Sequence, residues 1–349
     1  MINFALVGCG RIHRKHTDAI RRCNHAKLVA VCDSNLERAC KTGEAERVPC
    51  YSDMNFMLEA HPEIDVVNIL TPSGMHARQC VAAAQLGKNV VVEKPMALTL
   101  PDAELMVKTC DINNVRLFVV KQNRFNTAIQ KLRRKFETGA FGKITQGSVR
   151  VRWSRNQAYY DQDSWRGTWE MDGGVFANQA SHHVDLLQWF LGEVESVFAK
   201  TATQLVNIDV EDTGFAILKF TSGALGLIEA TTATRPKDLE GSLSILGEKG
   251  SVVIGGFAVN QIETWDFGDE EETKLMESPD HTFQDVYGHG HLEFINNVCE
   301  GIMNRGPALV DGLEGMKSLR LINALYESAE TGKEIFLVFK PRYARLGIS

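Results

Sequence analysis

The chain has 349 residues, 44% hydrophobic and 23% charged, a composition typical of a globular protein with one large or two medium domains. Its formal net charge of −6 argues against nucleic acid as a main partner. We expect no membrane association, because no apolar run approaches the roughly 20 residues of a membrane-spanning helix. The first residues, MINFALVGCG, predict a strand rather than a signal peptide. Eight cysteines lack CxxC spacing, so we expect reduced thiols in a cytoplasmic protein, without disulfides or structural zinc.

The first part of the chain, to about residue 120, alternates short strand-like runs with helical patterns. The runs are apolar at nearly every position, as parallel strands covered on both faces are. Strands are predicted at 3–8, 27–33, 64–70, 88–95 and 116–122, and helices at 12–24, 35–46, 75–87 and 101–113. This alternation predicts a doubly wound α/β sheet.

After about residue 125 polar and apolar positions alternate within strands, and tight turns such as TSGA and GEKG separate them. This pattern predicts a second, largely antiparallel sheet. Its strands are predicted at 143–155, 194–207, 213–221, 223–234, 240–247, 250–256 and 334–339, and the accompanying helices at 126–138, 290–304 and 312–332. An open sheet face must be covered, so we expect a homo-oligomer, with a tetramer favoured over a dimer.

A glycine turn joins the first strand to the first helix in LVGCGRIHRKH (6–16). Gly8 allows the tight turn, and Gly10 lets the backbone approach a pyrophosphate at the helix N-terminus. His13 replaces the third small residue of this dinucleotide-binding pattern. Asp33 ends the next strand, where a carboxylate accepts hydrogen bonds from ribose hydroxyls and repels a 2′-phosphate, which favours NAD over NADP. The alternative is a plain strand-to-helix corner with a capping aspartate.

Two further strand ends carry a family resemblance. Thr-Pro at 71–72 ends one strand, and Glu-Lys-Pro at 93–95 follows another within VVVEKPMAL. In this order, after the glycine turn, the motifs resemble those of the Gfo/Idh/MocA oxidoreductases. The resemblance covers essentially the whole chain, because GG followed by HHVD at 173–185 and ILGEKGSVVI at 245–254 also fit it.

This resemblance implies the fold and the division of the chain. An N-terminal Rossmann domain, residues 1–123, would bind NAD. A C-terminal α/β domain, residues 124–349, with an open and mainly antiparallel sheet would bind substrate and form the oligomer. The resemblance also implies a cis peptide bond before Pro95, which would fix the direction of Lys94.

Two longer stretches, 150–185 and 229–260, resemble a narrower branch of the family, the UDP-N-acetylglucosaminuronate 3-dehydrogenases of the WlbA type. Those enzymes oxidise C3 of UDP-N-acetyl-D-glucosaminuronic acid with NAD, on the route to bacterial surface polysaccharides. The resemblance implies a UDP-linked amino-uronic acid as substrate.

Lys94 and the segment GGVFANQASHHVD contain the expected reacting residues. A lysine at the end of a strand beside the nicotinamide can donate to a substrate hydroxyl and stabilise an alkoxide. If the chain is helical from about residue 178, Asn178, His182 and Asp185 share one face, whereas His183 turns away and packs against the sheet. By resemblance, Lys94, Asn178 and His182 react with substrate, although many relatives have aspartate at the position of Asn178.

Because an amide cannot take a proton, we assign acid–base chemistry to His182 with Lys94 assisting, and the residues leave open which of the two accepts the proton. Asn178 would hydrogen-bond the sugar without repelling an anionic substrate. We expect no metal here, since a metal site needs three or more converging ligands and the other histidines lack ligand spacing. Hydride transfer to NAD needs none.

Further contacts are assigned from the resemblance and from positions at strand ends and in loops. Cofactor contacts are predicted for Gly8, Gly10, Arg11, Ile12, Asp33, Thr71, Pro72, His76, Glu93, Lys94, Gln122, Trp165 and Arg166. Substrate contacts are predicted for Asn178, Asn123, Arg235, Lys237, Tyr287 and His291. Arg235 and Lys237 would bind the carboxylate or the phosphates of the substrate. For the positions from Gln122 onward, apart from Asn178, a packing or surface role is an equal alternative.

Three other functions fit the same pattern. An inositol or free-sugar dehydrogenase would act on a neutral substrate and would need fewer basic residues. A glycosidase of the same fold would use tightly held NAD without net production of NADH. A non-catalytic NAD-binding regulator is disfavoured, because both Lys94 and His182 are present. The sequence leaves open whether bound NADH is reoxidised in place by a 2-oxo acid.

Overall fold

A computed structural model describes residues 1–270, 272–273, 290–304, 306 and 308–348. The chain forms two compact units. The N-terminal unit contains Met1–Gln122 and His291–Met316, and the C-terminal unit contains Asn123–Gly290 and Lys317–Ser349. The first unit therefore includes a late segment that the predicted division at residue 123 leaves in the second.

The late segment joins the N-terminal unit through the edge of its sheet. The Val119 amide donates to the carbonyl of Val310 at 3.3 Å, and Phe118 forms an isolated β-bridge with Asp311. The Arg116 guanidinium also donates to two carbonyls of this segment, those of Gly301 and Gly306. Such long-range pairing cannot be inferred from local periodicity.

The N-terminal unit contains the predicted parallel sheet. Its strands are β1 (Ile2–Val7), β2 (Ala26–Cys32), β3 (Cys50–Tyr51), β4 (Val66–Ile69), β5 (Asn89–Val92) and β6 (Leu117–Val119). They lie in the order β3-β2-β1-β4-β5-β6, and all five pairings are parallel. The order reverses between β1 and β4, so a crevice forms at the carboxyl ends of these two strands.

Five helices connect these strands: α1 (His13–Arg22), α2 (Leu36–Glu46), α3 (Met54–Ala60), α4 (His76–Gln85) and α5 (Leu100–Ile112). Capping side chains fix where several begin, since Asn35, Asp53 and Thr99 accept backbone N–H groups in the first turns of α2, α3 and α5. The prediction omitted β3 and α3, because elements of two and seven residues are too short to show a period.

The expectation that all cysteines are reduced was wrong for one pair. Cys40 and Cys50 form a disulfide, with their Cα atoms 5.0 Å apart. Cys40 lies in α2 and Cys50 begins β3, so the turn between these elements brings together two residues that are 10 positions apart. The other six cysteines are buried free thiols.

The C-terminal unit is built on an eight-stranded sheet in the order β13-β12-β11-β7-β10-β9-β8-β14. The strands are β7 (Ile144–Arg152), β8 (Val194–Ala202), β9 (Thr213–Phe220), β10 (Leu225–Thr231), β11 (Glu240–Gly247), β12 (Ser251–Gly255), β13 (Gln261–Asp266) and β14 (Ile335–Phe336). Only the pairing of β7 with β10 is parallel among these strands, which confirms a mainly antiparallel sheet.

The later helices are α6 (Thr127–Glu137), α7 (Gln157–Tyr160), α8 (Ser181–Leu191), α9 (Gly290–Asn304) and α10 (Gly312–Thr331). Helix α8 packs on β7, and Gly147 allows the close approach, because a Cβ there would lie 2.8 Å from Leu191. The opposite face of the sheet exposes apolar side chains such as Phe215 (51%) and Ile217 (60%). None of the helices described is long and apolar enough to span a lipid bilayer.

Candidate active site

The two glycines of the first turn have different surroundings. Gly8 has a φ of +104°, and a Cβ on it would lie 2.7 Å from the backbone of Leu70, so the turn packs directly on the end of β4. A Cβ on Gly10 would meet no described atom within 4 Å. The backbone at Gly10 therefore borders open space at the start of α1, where a pyrophosphate would bind. His13 instead turns its ring back onto the carbonyl of Gly10.

Asp33 lies at the end of β2 with its carboxylate already oriented. The amides of Cys9 and Asn35 donate to its two oxygens at 2.8 and 2.9 Å. Arg38 lies 3.7 Å from the same carboxylate. These contacts hold the carboxylate beside the glycine turn, the position that ribose recognition requires. The predicted cofactor contacts of Arg11 and Ile12, in the same turn, remain predictions.

Glu93 connects the end of β5 to α1. Its Oε1 accepts from Nε2 of His16 at 3.0 Å, and its Oε2 accepts from the backbone amide of Lys94 at 3.0 Å. The side-chain amide of Asn68 lies 3.3 Å from the other ring nitrogen of His16. Burial would raise the pKa of Glu93, but the hydrogen bond and charge of His16, with His291 and Lys94, lower it to about 2. Glu93 is thus a carboxylate that orients the Lys94 peptide.

His16, Glu93 and His291 also form the kind of group that can hold a metal, with ligand atoms within 4.8 Å of one another. The sequence did not indicate this group, because its members come from three distant segments. Both ring nitrogens of His16 have hydrogen-bond partners, Glu93 and Asn68. We interpret the group as a buried polar cluster, in which the His16 and His291 rings meet edge to face, and the expectation that the protein needs no metal remains a prediction. His291, predicted to contact substrate, lies in this cluster with 4% exposure.

His76 links the two strand-end loops of the N-terminal unit. Its ring nitrogens lie 2.9 Å from the carbonyl of Pro95 and 2.8 Å from that of Thr71. Burial lowers the pKa of His76, although both carbonyls favour the charged ring. The peptide bond between Lys94 and Pro95 is cis, as the resemblance implied. His76 is only 1% exposed, so any effect of this residue on a cofactor acts through the loops carrying Thr71-Pro72 and Lys94.

The segment GGVFANQASHHVD is not one continuous α-helix. Val175–Gln179 form a π-helical turn, and α8 begins at Ser181. The regular α-helical spacing from which we predicted a common face for Asn178, His182 and Asp185 therefore does not run through residues 178–182, because the wider turn precedes α8. His182 lies in the first turn of α8 and is 9% exposed.

His183 packs against the sheet, as predicted. It is fully buried, and its ring makes an edge contact with Trp153 at 5.7 Å between ring centroids. Burial lowers the pKa of His183 to about 4, so the ring is neutral near pH 7.

The side chains of Asn178 and Asp185 each bind another protein side chain, which the sequence did not predict. The Asn178 amide donates to Asp172, whose other oxygen accepts from the backbone amide of Gly167. Asp172 is a buried carboxylate that the sequence reasoning missed, although it directly precedes the glycine pair. Asp185 instead forms a buried ion pair with Arg124 at 2.7 Å.

Arg166 belongs to a cluster next to the π-helical turn. It donates to Asp163 and to the hydroxyl of Tyr159, and its guanidinium lies 4.4 Å from the Trp165 ring centroid. Gln179, in the π-helical turn, donates to the same Tyr159 hydroxyl. The predicted pair Trp165 and Arg166 is therefore joined to the segment that carries Asn178.

The remaining predicted contacts, four with substrate and that of Gln122 with the cofactor, lie elsewhere in the chain. Arg235 donates to the carbonyls of Thr232, Thr234 and Arg155, so its guanidinium supports a loop. Lys237 is exposed in the same loop. Gln122 and Asn123 are buried after β6, and Tyr287 lies outside the described residues.

Comparisons with known proteins match both units of the chain to the same protein family. Residues 2–121 match the NAD-binding Rossmann fold of the Gfo/Idh/MocA oxidoreductases, and residues 133–337 match the C-terminal alpha/beta domain of the same family. The chain is 46% identical to the WlbA dehydrogenase from Bordetella pertussis, solved with NADH and UDP-GlcNAcA, with a TM-score of 0.91 over 96% of this chain and 97% of that one.

The WlbA dehydrogenase from Chromobacterium violaceum, solved with the same two molecules, is 44% identical, with a TM-score of 0.89 over 98% and 97% of the two chains. Myo-inositol 2-dehydrogenase from Thermotoga maritima is 27% identical over 96% of this chain and 98% of its own.

Proposed function

Since the chain belongs to the Gfo/Idh/MocA oxidoreductase family, with NAD as cofactor, we propose that it oxidises C3 of UDP-N-acetyl-D-glucosaminuronic acid to the 3-oxo sugar. The observation that carries the proposal is the similarity over nearly the full length to two dehydrogenases solved with NADH and UDP-GlcNAcA. We further propose that residues 1–123 serve the cofactor and residues 124–349 serve the substrate. The product would enter the synthesis of a bacterial surface polysaccharide.

In the proposed reaction His182 accepts the proton of the C3 hydroxyl, and Lys94 stabilises the alkoxide as it forms. Bound NAD would supply the acceptor for the hydride that leaves C3. Glu93 holds the backbone amide of Lys94 at the end of β5. The open backbone at Gly10 fits a pyrophosphate.

A substrate with a carboxylate and two phosphates suits the neutral amide at position 178. Asn178 would bind the sugar while Asp172 holds its amide group in one orientation. Lys237 and Arg235 are proposed to meet the charged groups of the substrate, and Trp165 and Arg166 the cofactor. For Arg235 this would require that some of its three bonds to backbone carbonyls be exchanged.

We also propose that the protein forms a homo-oligomer in which the exposed face of the C-terminal sheet is covered. A tetramer is favoured over a dimer. Phe198, Ile217 and Leu227 lie side by side on neighbouring strands of this face. Apolar side chains in such a row are typical of a subunit interface. A cytoplasmic location is proposed because the reaction uses NAD and a nucleotide sugar.

The test is to incubate the protein with NAD and a panel of substrates, and to follow NADH by its absorbance. The panel contains UDP-N-acetyl-D-glucosaminuronic acid, UDP-N-acetylglucosamine, UDP-glucuronic acid and myo-inositol. We expect NADH only with the first, or much faster with it. Preference for UDP-N-acetylglucosamine would contradict recognition of the carboxylate, and preference for myo-inositol would favour the activity named for the Thermotoga relative. Release of a sugar without net NADH would indicate a glycosidase.

A further inference from the structure

A buried carboxyl group and a buried phenol lie beneath the π-helical turn that precedes His182. Glu211, just before β9, is 4% exposed, and Tyr326, in α10, is 1% exposed. The Tyr326 hydroxyl donates to Oε1 of Glu211 at 2.8 Å. Neither residue has a role in the proposed proton or hydride transfer, although both belong to the same unit as His182.

These two residues accept four consecutive N–H groups, those of residues 174–177. The amides of Gly174 and Ala177 donate to the Tyr326 hydroxyl oxygen at 3.1 and 3.3 Å. The amide of Val175 donates to the Glu211 backbone carbonyl at 3.1 Å, and that of Phe176 to Glu211 Oε1 at 3.0 Å.

The regular pattern within the segment begins only afterwards, where the amide of Asn178 donates to the carbonyl of Gly174. The first N–H groups of a helical turn have no partner inside the turn, and leaving them buried and unpaired destabilises the fold. Glu211 and Tyr326 therefore determine where this turn can form.

Steric contacts hold the same segment from two other sides. A Cβ on Gly174 would lie 2.0 Å from the Glu211 carboxyl group, and a Cβ on Gly214 would lie 2.4 Å from the Phe176 ring. The glycine at position 174 is thus required by the buried carboxyl group. The segment has little freedom to shift along the sheet without losing these contacts.

We propose that Glu211 and Tyr326 are positioning residues for the reaction, which hold the π-helical turn so that Asn178 and His182 face the substrate. The turn leads directly into α8, and His182 follows it by three residues. A displacement of the turn therefore moves His182. The inference rests on the proposed role of His182 in catalysis.

The proposal assigns the function to the acceptor oxygen of Glu211 rather than to its charge. Oε1 receives both hydrogen bonds, whereas Oε2 has no hydrogen-bond partner among the described residues. Burial raises the pKa of Glu211 to about 7, so the neutral acid is readily formed. A glutamine at this position keeps an oxygen that can accept both bonds.

The test compares Tyr326→Phe, Glu211→Ala and Glu211→Gln with the wild type. A matched control is Ser328→Ala in the same helix, which also removes a buried hydroxyl that accepts one backbone amide, that of Ala199. We expect Tyr326→Phe and Glu211→Ala to lower kcat by about 10- to 100-fold, because small misplacements of reacting groups have effects of this size. The KM for NAD should stay near the wild-type value. Glu211→Gln and Ser328→Ala should keep kcat close to that of the wild type.

Two measurements do not depend on turnover. Amide hydrogen exchange should become faster at Gly174 and Ala177 in Tyr326→Phe, and not in Ser328→Ala. Crystal structures should show His182 displaced in Tyr326→Phe by more than about 0.5 Å relative to the sheet, the tolerance of a productive site. If the wild type forms no NADH with the UDP-sugar, the proposed function fails, and these two measurements still decide whether Tyr326 positions His182.

Several results would overturn the proposal. Wild-type kcat in Tyr326→Phe, or an undisplaced His182, would show that the hydroxyl does not position the segment. A Glu211→Gln variant as slow as Glu211→Ala would show that the charge matters instead of the acceptor. Equal loss of kcat in Ser328→Ala would assign the effect to general destabilisation of α10.

Discussion

Arg124 binds Asp185 through two parallel hydrogen bonds, from Nε at 2.7 Å and from a terminal nitrogen at 2.9 Å. Both side chains are almost fully buried, at 2% and 3% exposure. The pair ties the turn after β6 to the middle of α8. The carboxylate of Asp185 therefore serves a buried structural ion pair.

The ion pair predicts a large loss of stability in Arg124→Ala. Removing one partner leaves a buried carboxylate uncompensated, which typically costs about 3–5 kcal/mol. Denaturant unfolding should show this loss, and Arg124→Ala with Asp185→Leu should recover part of it. Arg21→Ala is the control, since Arg21 is 61% exposed beside Glu46 and such surface pairs contribute about 1 kcal/mol or less. A loss as small as that of the control would contradict the buried pair.

The two glycines of the first turn should respond differently to alanine. Gly8→Ala should destabilise the fold, because its φ is positive and the Cβ would meet the backbone of Leu70. Gly10→Ala should leave the melting temperature almost unchanged but weaken NADH binding by about tenfold or more, equivalent to about 1.4 kcal/mol. Thermal unfolding and NADH fluorescence titration measure the two effects. Unaltered NADH affinity in a folded Gly10→Ala protein would place the pyrophosphate elsewhere.

The proposed chemistry predicts that His182→Asn abolishes most turnover while NAD binding stays nearly intact. A general base of this kind typically contributes about 100- to 10,000-fold to the rate. Lys94→Ala should also lose most activity, whereas Lys88→Ala, at a half-buried position before β5, should not. Steady-state kinetics and NADH titration provide the measurements. Unchanged turnover in His182→Asn would remove this residue from the reaction.

Glu211 predicts a pH dependence of stability. Burial raises its pKa to about 7 from an ordinary value of 4.5, so the folded protein binds a proton that the unfolded chain has released. The stability of the wild type should therefore fall as the pH rises from about 4.5 to about 7, and level off above that. The glutamine in Glu211→Gln does not titrate. The free energy of unfolding of this variant, relative to that of the wild type, should therefore rise by about 3 kcal/mol at most between about pH 5 and about pH 8. Denaturant titrations at both pH values test this. A constant difference would contradict the raised pKa.

If the exposed face of the C-terminal sheet forms the subunit interface, a charged side chain placed on it should weaken the oligomer. Ile217→Lys should shift the protein from oligomer to smaller species in light scattering, because a lysine would be buried without a partner in the interface. Leu36→Lys, at a residue 51% exposed in the N-terminal unit, should leave the mass unchanged. An unchanged mass in Ile217→Lys would exclude this face as the interface.

The chemical motifs were predictable because each depends on neighbours along the chain. The glycine turn, the strand end at 93–95 and the carboxylate at Asp33 follow from local geometry and from strand–helix alternation. The groups that support them were not predictable. His16 meets Glu93 from 77 positions away, and Tyr326 meets Glu211 from 115 positions away. No local pattern records such pairs.

The sequence by itself therefore determined the class of each domain, the cofactor and the family, since periodicity and short motifs reflect interactions within a few residues. The tertiary structure decided which polar groups are buried together. It placed a π-helical turn at 175–179 on Glu211 and Tyr326, where we had expected a helix only from about residue 178, assigned Asp185 to Arg124, and paired Cys40 with Cys50. The physical reason is that a buried donor, acceptor or charge must find a partner, and that partner comes from whichever segment the fold brings near.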